Sequence, residues 1–141
     1  MEGFNTQLQL RIDWGEMDIF LHVNNVSFFK YIQAARVNYW EKIGLTPMHN
    51  NSNTGPMLAS TNCQFKMPLY YPGNVTIKSK VGFIKTTSFS IQHVLLNDNG
   101  DVVAEAEDIV VVFNFTKHEK APLWKGLIET IESIEKKSFS S

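Results

Sequence analysis

From about Asn24 to Ile43 the chain carries apolar residues on almost every side of a helix. Phe28, Ile32, Ala35, Tyr39 and Ile43 fall on one face at helical spacing, and Val26, Phe29, Val37 and Trp40 widen it. Only Ser27, Lys30, Asn38 and Glu41 make a narrow polar stripe. Asn24 or Asn25 is a natural cap at the start, and Gly44 a natural stop at the end. A helix this apolar needs cover on most of its sides. It is therefore a core element, and the cover has to come from the remainder of a short chain.

That remainder is strand-like. Leu8, Leu10, Ile12 and Trp14 alternate with polar partners, the period of a half-buried strand. Residues 46–56 are rich in Asn, Ser, Gly and Pro and read as a mobile loop, either a plain connection or the lining of a substrate entrance. Strand-like runs follow at 57–67, 74–84, 88–96 and 102–115, with Asn97-Asp98-Asn99-Gly100 as a hairpin turn. In the last run Val102, Ala104 and Ala106 alternate with acids before Ile109, Val111 and Phe113 take over the apolar phase. That switch predicts a bulge near Glu107 and Asp108. From Pro122 onward Leu123, Leu127, Ile131 and Ile134 recur at helical spacing, and the tail beyond Lys137 reads as frayed. One strand, one apolar helix and four hairpin-joined strands make an α+β pattern. Its economical form is a curved antiparallel β-sheet wrapped around a long central α-helix.

With 141 residues, no internal repeat and no dividing linker, the chain reads as a single domain over 1–141. Hydrophobic residues at 43% against 19% charged place it among globular proteins, not disordered ones. A formal net charge of −1 argues against a nucleic-acid partner, which calls for a basic surface. The single cysteine, Cys63, forms neither an internal disulfide nor a multi-cysteine metal site, and it suits a reducing cytoplasm. A signal peptide is not evident, and no apolar run approaches the roughly 20 residues a membrane span needs. Cytoplasmic localisation without membrane insertion is the expectation.

Three acids precede the helix: Asp13, Glu16 and Asp18. Asp13 falls at an outward strand position, and Glu16 reads as a surface or loop-bonding acid. Asp18 lies nearest the helix start, where unpaired N–H groups and the helix dipole favour negative charge. A carboxylate there has the minimum equipment to attack a thioester carbonyl, and it equally suits plain turn-shaping beside an Asn24 cap. His22 lies four residues on, as a loop-positioning or substrate-contacting group, and Asn25 either holds substrate or caps the helix. Arg36, within the helix, reads as structurally paired. His49, His93 and His118 have no metal-like spacing, so no metal site is expected. Neither a Gly-x-Ser-x-Gly elbow nor a glycine-rich phosphate loop is present.

The run Asp13-Trp14-Gly15-Glu16-Met17-Asp18, then His22-Val23-Asn24-Asn25, Tyr31, Ala34-Ala35-Arg36 and Tyr39 resembles the opening of a hotdog-fold acyl-CoA thioesterase of the 4-hydroxybenzoyl-CoA thioesterase type. The likeness continues through Pro68-Leu69-Tyr70-Tyr71-Pro72-Gly73 and ends near Pro122. The sheet-wrapped helix inferred above is the hotdog architecture. The resemblance implies hydrolysis of an acyl or aryl thioester to free acid and CoA. Asp18 would be nucleophile or general base, and the helix N-terminus the oxyanion site. The first helical turns hold no Asp or Glu, which excludes the related arrangement with a helical carboxylate. No cofactor is implied, because coenzyme A is part of the substrate; an acyl-carrier-protein thioester is the other candidate. The resemblance also implies a homodimer or homotetramer. The segment Ser60-Thr61-Asn62 is then expected near a neighbouring Asp18, with Thr61 as the candidate contact. Leu21 stands where the family usually has glycine, allowing the loop backbone to differ, and Gln33 where many relatives carry an acid. Phe20, Phe28, Phe29, Tyr31 and the 57–67 strand are candidates for an acyl tunnel or for core. A hotdog dehydratase or hydratase using His22 with Asp18, and a silent acyl-CoA or acyl-carrier binding module, are the alternatives.

Overall fold

The computed structural model describes residues 3–45 and 53–139. Six strands and two helices follow in the order β1 (Thr6–Arg11), α1 (Asn25–Lys42), β2 (Thr54–Phe65), β3 (Asn74–Ile84), β4 (Ser88–Leu96), β5 (Val102–Asn114), β6 (Glu119–Lys120) and α2 (Lys125–Glu135). All pairings are antiparallel, in the order β1-β3-β4-β5-β2, and short β6 pairs with the end of β5. Alternation along β3, β4 and β5 sends Val75, Ile77, Val81, Phe89, Ile91, Leu95, Val110 and Val112 into the core. There they meet Phe28, Ile32, Ala35 and Tyr39 of α1. This is the hotdog architecture expected from the sequence.

Five expectations need correction. Trp14 does not extend the first strand: β1 stops at Arg11, and Trp14 begins a single 3₁₀ turn, Trp14–Glu16, with its ring exposed. The sheet covers one face of α1 and not most of it, so Val26 remains 72% exposed and Phe29 is also open. Ser27, read as part of the polar stripe, is on the buried face. The tail is tied down as far as Phe139, whose N–H donates to Glu132 Oε2 at 2.7 Å while its ring packs on the core.

The fifth correction concerns β5. Pairing runs unbroken from Phe65–Ala104 to Thr61–Asp108 on one side and from Leu95–Ala104 to Ser88–Val111 on the other. The register shifts next to β5 lie elsewhere, between Leu58 and Ser60 in β2 and at Val103 of β5 itself, where Leu95 pairs with Ala104 and Leu96 with Val102. There is no phase switch, because Asp108 takes an inward place in line with Ala104, Ala106, Val110 and Val112. A charged residue at a core position imitates a break in the alternation. Of the loop expected at 46–56, residues 46–52, with His49, lie outside the described residues, and Thr54–Pro56 already belong to β2.

Candidate active site

The acid-rich segment between β1 and α1 folds as two tight turns fastened to each other. Glu16 N donates to Asp13 O at 3.0 Å, and Asp13 N donates to Glu16 Oε1 at 2.9 Å. Glu16 Oε1 also accepts from Tyr31 Oη at 2.7 Å, which pins the loop to α1. Burial, then the hydrogen bond and charge of Glu16, hold the Tyr31 hydroxyl well above the usual phenol range. Tyr31 is thus a buried loop anchor and not a wall of an acyl tunnel. Asn24 completes the frame. Its N and Nδ2 both donate to Glu16 O, and its Oδ1 caps α1 by accepting from Ser27 N at 2.8 Å.

Asp18 shapes the turn in front of this cap. Its N donates to His22 O at 2.9 Å, its O accepts from Leu21 N at 3.1 Å, and its Oδ1 accepts from Phe20 N at 2.8 Å. The turn needs Leu21 at φ 67°, the left-handed conformation that glycine adopts freely and a branched side chain does not. The loop therefore keeps a glycine-like backbone without the glycine. His22 Nδ1 stands 3.5 Å from Asp18 Oδ2, with the two side chains 36% and 30% exposed. Asp18 is anchored by one carboxylate oxygen while the other remains within reach of solvent and His22.

Beside this loop lies a cleft of about 250 Å³ lined by His22, Val23, Asn25, Phe28, Phe65 and Met67, with Lys66 and Pro68 at its rim. The start of α1 makes one wall, and the end of β2 the other. Phe65 meets Phe28 edge to face at 5.2 Å and Phe29 at 6.2 Å. Phe20 stacks over His22 at 6.2 Å, and Tyr70 meets the same imidazole edge-on at 6.4 Å. Of the residues singled out in the sequence, His22 and Asn25 border the cleft and Asp18 adjoins it through His22. Asn24 serves the helix cap. Thr61 lies on β2 opposite Asp108, away from the cleft lining, while Ser60 and Asn62 are exposed on that edge strand. Cys63 packs against the core, and burial pushes its thiol up to about 11.

A second acid–histidine pair was not legible. Asp108 Oδ2 accepts from His93 Nε2 at 2.8 Å and forms an ion pair with Arg36 Nη1 at 3.1 Å, and His93 Nδ1 lies 2.7 Å from Ser79 Oγ. Burial alone would raise the Asp108 carboxyl, yet the hydrogen bond and charge of His93, the Thr61 hydroxyl and the charge of Arg36 hold it below the ordinary range. Thr61 Oγ1 and Asp108 Oδ1 are both buried and complete no aligned hydrogen bond, so the hydroxyl acts on the carboxylate as a nearby dipole. Ser79, His93 and Asp108 repeat the order of a nucleophilic triad, but Ser79 is 1% exposed and no thioester can reach it. Among the described residues no three His, Cys, Asp or Glu side chains gather into a metal-holding cluster, and no helix is long and apolar enough to cross a membrane.

Comparison with known proteins gives a consistent result. The family model of the thioesterase-like superfamily matches residues 12–131. The long-chain acyl-CoA thioesterase FadM of Escherichia coli K12 is 23% identical over 131 residues, covering 92% of this chain and 99% of that one. The protein YsmA of Bacillus subtilis strain 168 is 25% identical over 93 residues; the matched region spans 66% of this chain and 62% of YsmA's length. Among solved structures, a thioesterase from Thermus thermophilus, complexed with coenzyme A and Zn, superposes with a TM-score of 0.85. It is 22% identical, with 97% of this chain and 98% of that one covered.

Proposed function

Because the chain belongs to the thioesterase-like superfamily, we propose that it hydrolyses acyl-CoA thioesters to free acid and CoA, with Asp18 as the reacting carboxylate. The observation that carries the reading is the placement of Asp18. Its Oδ1 is tied to Phe20 N, and its Oδ2 stands 3.5 Å from His22, which lines a largely apolar cleft at the start of α1. Phe28, Phe65 and Met67 suit an acyl group, and a thioester carbonyl near Asn25 meets the first-turn N–H groups that have no partner within the helix. Those groups receive the oxyanion; loss of one such donor typically costs on the order of 3 kcal/mol in the transition state.

Asp18 works by one of two routes. As nucleophile it attacks the carbonyl carbon, CoA leaves as the thiolate, and water hydrolyses the mixed anhydride. As general base it takes a proton from water that attacks directly. His22 orients the carboxylate and does not itself react. Label from heavy-oxygen water entering Asp18 over successive turnovers marks the nucleophilic route; its absence marks the second.

The working form is a homo-oligomer. β2 is an edge strand, and the face of α1 bearing Val26 and Phe29 is open in the single chain, so both unpaired backbone and apolar surface call for a partner. Thiol release from a graded panel of acyl- and aryl-CoA thioesters, with light scattering at assay concentration, tests the proposal. A folded protein that releases no thiol from any of them overturns the activity, and enoyl-CoA hydration in its place points to a hydratase. A fully active monomer overturns the shared assembly.

A further inference from the structure

Residues 36, 61, 79, 93 and 108 come from one helix and four different strands, yet they meet in one dry cluster under α1. Asp108 and His93 side chains are 0% exposed, and that of Arg36 is 9%. Such a cluster is an uneconomical way to stabilise a core. Taking both charges of a pair out of water costs several kcal/mol each, and apolar substitutes of similar volume are often as stable or more so. What an ion pair adds is direction. Ile32 and Ala35 hold α1 on the sheet by contacts that tolerate small sliding and rotation, whereas the 3.1 Å ion pair of Arg36 Nη1 with Asp108 Oδ2 is directional, as is the bond from Tyr39 Oη to Glu135 nearer the helix end.

The position of the cluster shows what that direction would serve. Arg36 lies eleven residues beyond Asn25, about 16 Å along a rigid helix, so any slip at Arg36 is delivered undiminished to the cleft. Asp108 also faces Thr61, four residues before Phe65 on the same strand, and Phe65 is the opposite wall of the cleft. One buried carboxylate on β5 therefore ties α1 to the strand that pairs directly with β2, and the far ends of α1 and β2 form the two walls. Tyr31, hydrogen-bonded to Glu16, links the same helix to the Asp18 loop.

We propose that Asp108 is a positioning residue for hydrolysis: through Arg36 it sets the register of α1 on β5, whose ladder carries β2, so that the helix start and the Phe65 wall stay aligned around the thioester. The proposal rests on the reading of the cleft as the thioester site. Ser79 and His93 complete the device by supporting Asp108 from β3 and β4, with Nε2 on the carboxylate and Nδ1 beside the Ser79 hydroxyl. A helix slip of one residue is about 1.5 Å, and misplacement of about 1 Å at a reacting centre costs on the order of a hundredfold in rate.

The test is the double variant Arg36→Met/Asp108→Asn in the full chain. It removes both charges and leaves a carboxamide oxygen for His93. Thermal unfolding and circular dichroism establish that it is folded, and kcat and KM are measured well below its Tm with the best acyl-CoA of the panel. A positioning role predicts kcat at least tenfold lower with KM within about threefold, since alignment is lost in the transition state more than in binding. A folded variant with wild-type kcat overturns the proposal, because a purely structural cluster changes Tm alone. Should the double variant not fold, Arg36→Lys keeps the charge and loses the planar fork. A several-fold lower kcat at unchanged KM then supports the role, and undiminished kcat overturns it. Wild-type protein without thiol release overturns the proposed function as well; release by wild type and variant alike overturns the positioning role only.

Discussion

Among the described residues stand two aspartate–histidine pairs, and they have almost nothing in common. Asp18 and His22 stand 3.5 Å apart in an exposed turn, held by one bond from Phe20 N and by a left-handed Leu21. Asp108 and His93 are 2.8 Å apart in the buried interior, with Arg36 beside the same carboxylate oxygen and Ser79 at the other imidazole nitrogen. The same two residue types do different work because the surroundings differ. In water a pair at 3.5 Å is worth at most about 1 kcal/mol, so His22 holds the Asp18 carboxylate only weakly, as the role proposed for it requires. In the core an unpaired charge is far costlier, so Asp108 is bound to its partners and unavailable for chemistry.

That contrast can be broken in several ways. Asp108→Ala leaves Arg36 charged and buried with no partner, and should destabilise the fold by about 3–5 kcal/mol, read as a large fall in Tm or in denaturant midpoint. A change of less than about 1 kcal/mol would show that water reaches the cluster. Asp18→Asn should do the reverse. Stability should hold within about 0.5 kcal/mol, as for surface positions generally, while kcat falls at least about a hundredfold. Near-normal turnover by that variant would remove Asp18 from the mechanism.

Acid sharpens the comparison further. The carboxyl of Asp108 is held below its ordinary value, so its contribution to stability is complete above the pH where an unfolded aspartate titrates, and is lost as pH falls through the lower folded value. Acid unfolding should therefore show a component below about pH 4 that is missing from Arg36→Met/Asp108→Asn. Identical acid profiles would contradict the pairing. The smallest effect belongs to the exposed loop. Leu21 is 69% exposed at φ 67°, so Leu21→Gly relieves backbone strain while losing little burial. A gain of up to about 1 kcal/mol is expected, reduced by the greater freedom of glycine in the unfolded chain. A clear loss of Tm would mean that the leucine side chain makes contacts in the working assembly.

Much of the site was legible because its signals are local. Asn24 as cap, Gly44 as stop, the Asn97–Gly100 turn and the Asp18 turn each depend on residues within four positions of one another, and each is present. Glu16 was half legible. Its loop bonding follows from three-residue spacing, but its bond to Tyr31 crosses fifteen positions and needed the helix to be seated first.

The amino-acid order by itself determined the elements, their antiparallel succession and the carboxylate before the helix, because period, capping and turn chemistry act over a few residues. Only the tertiary structure decided which way Asp108 points. Read along the strand, an acid after Ala104 and Ala106 looks like a change of face, and nothing nearby contradicts that reading. The contradiction comes from Arg36, Thr61, Ser79 and His93, which lie up to 72 positions away in the chain and meet Asp108 only once the sheet has closed against α1. A buried charge is tolerated only where opposite charge and hydrogen bonds converge on it. Convergence of distant residues is a property of the packed fold, absent from any single stretch of the chain.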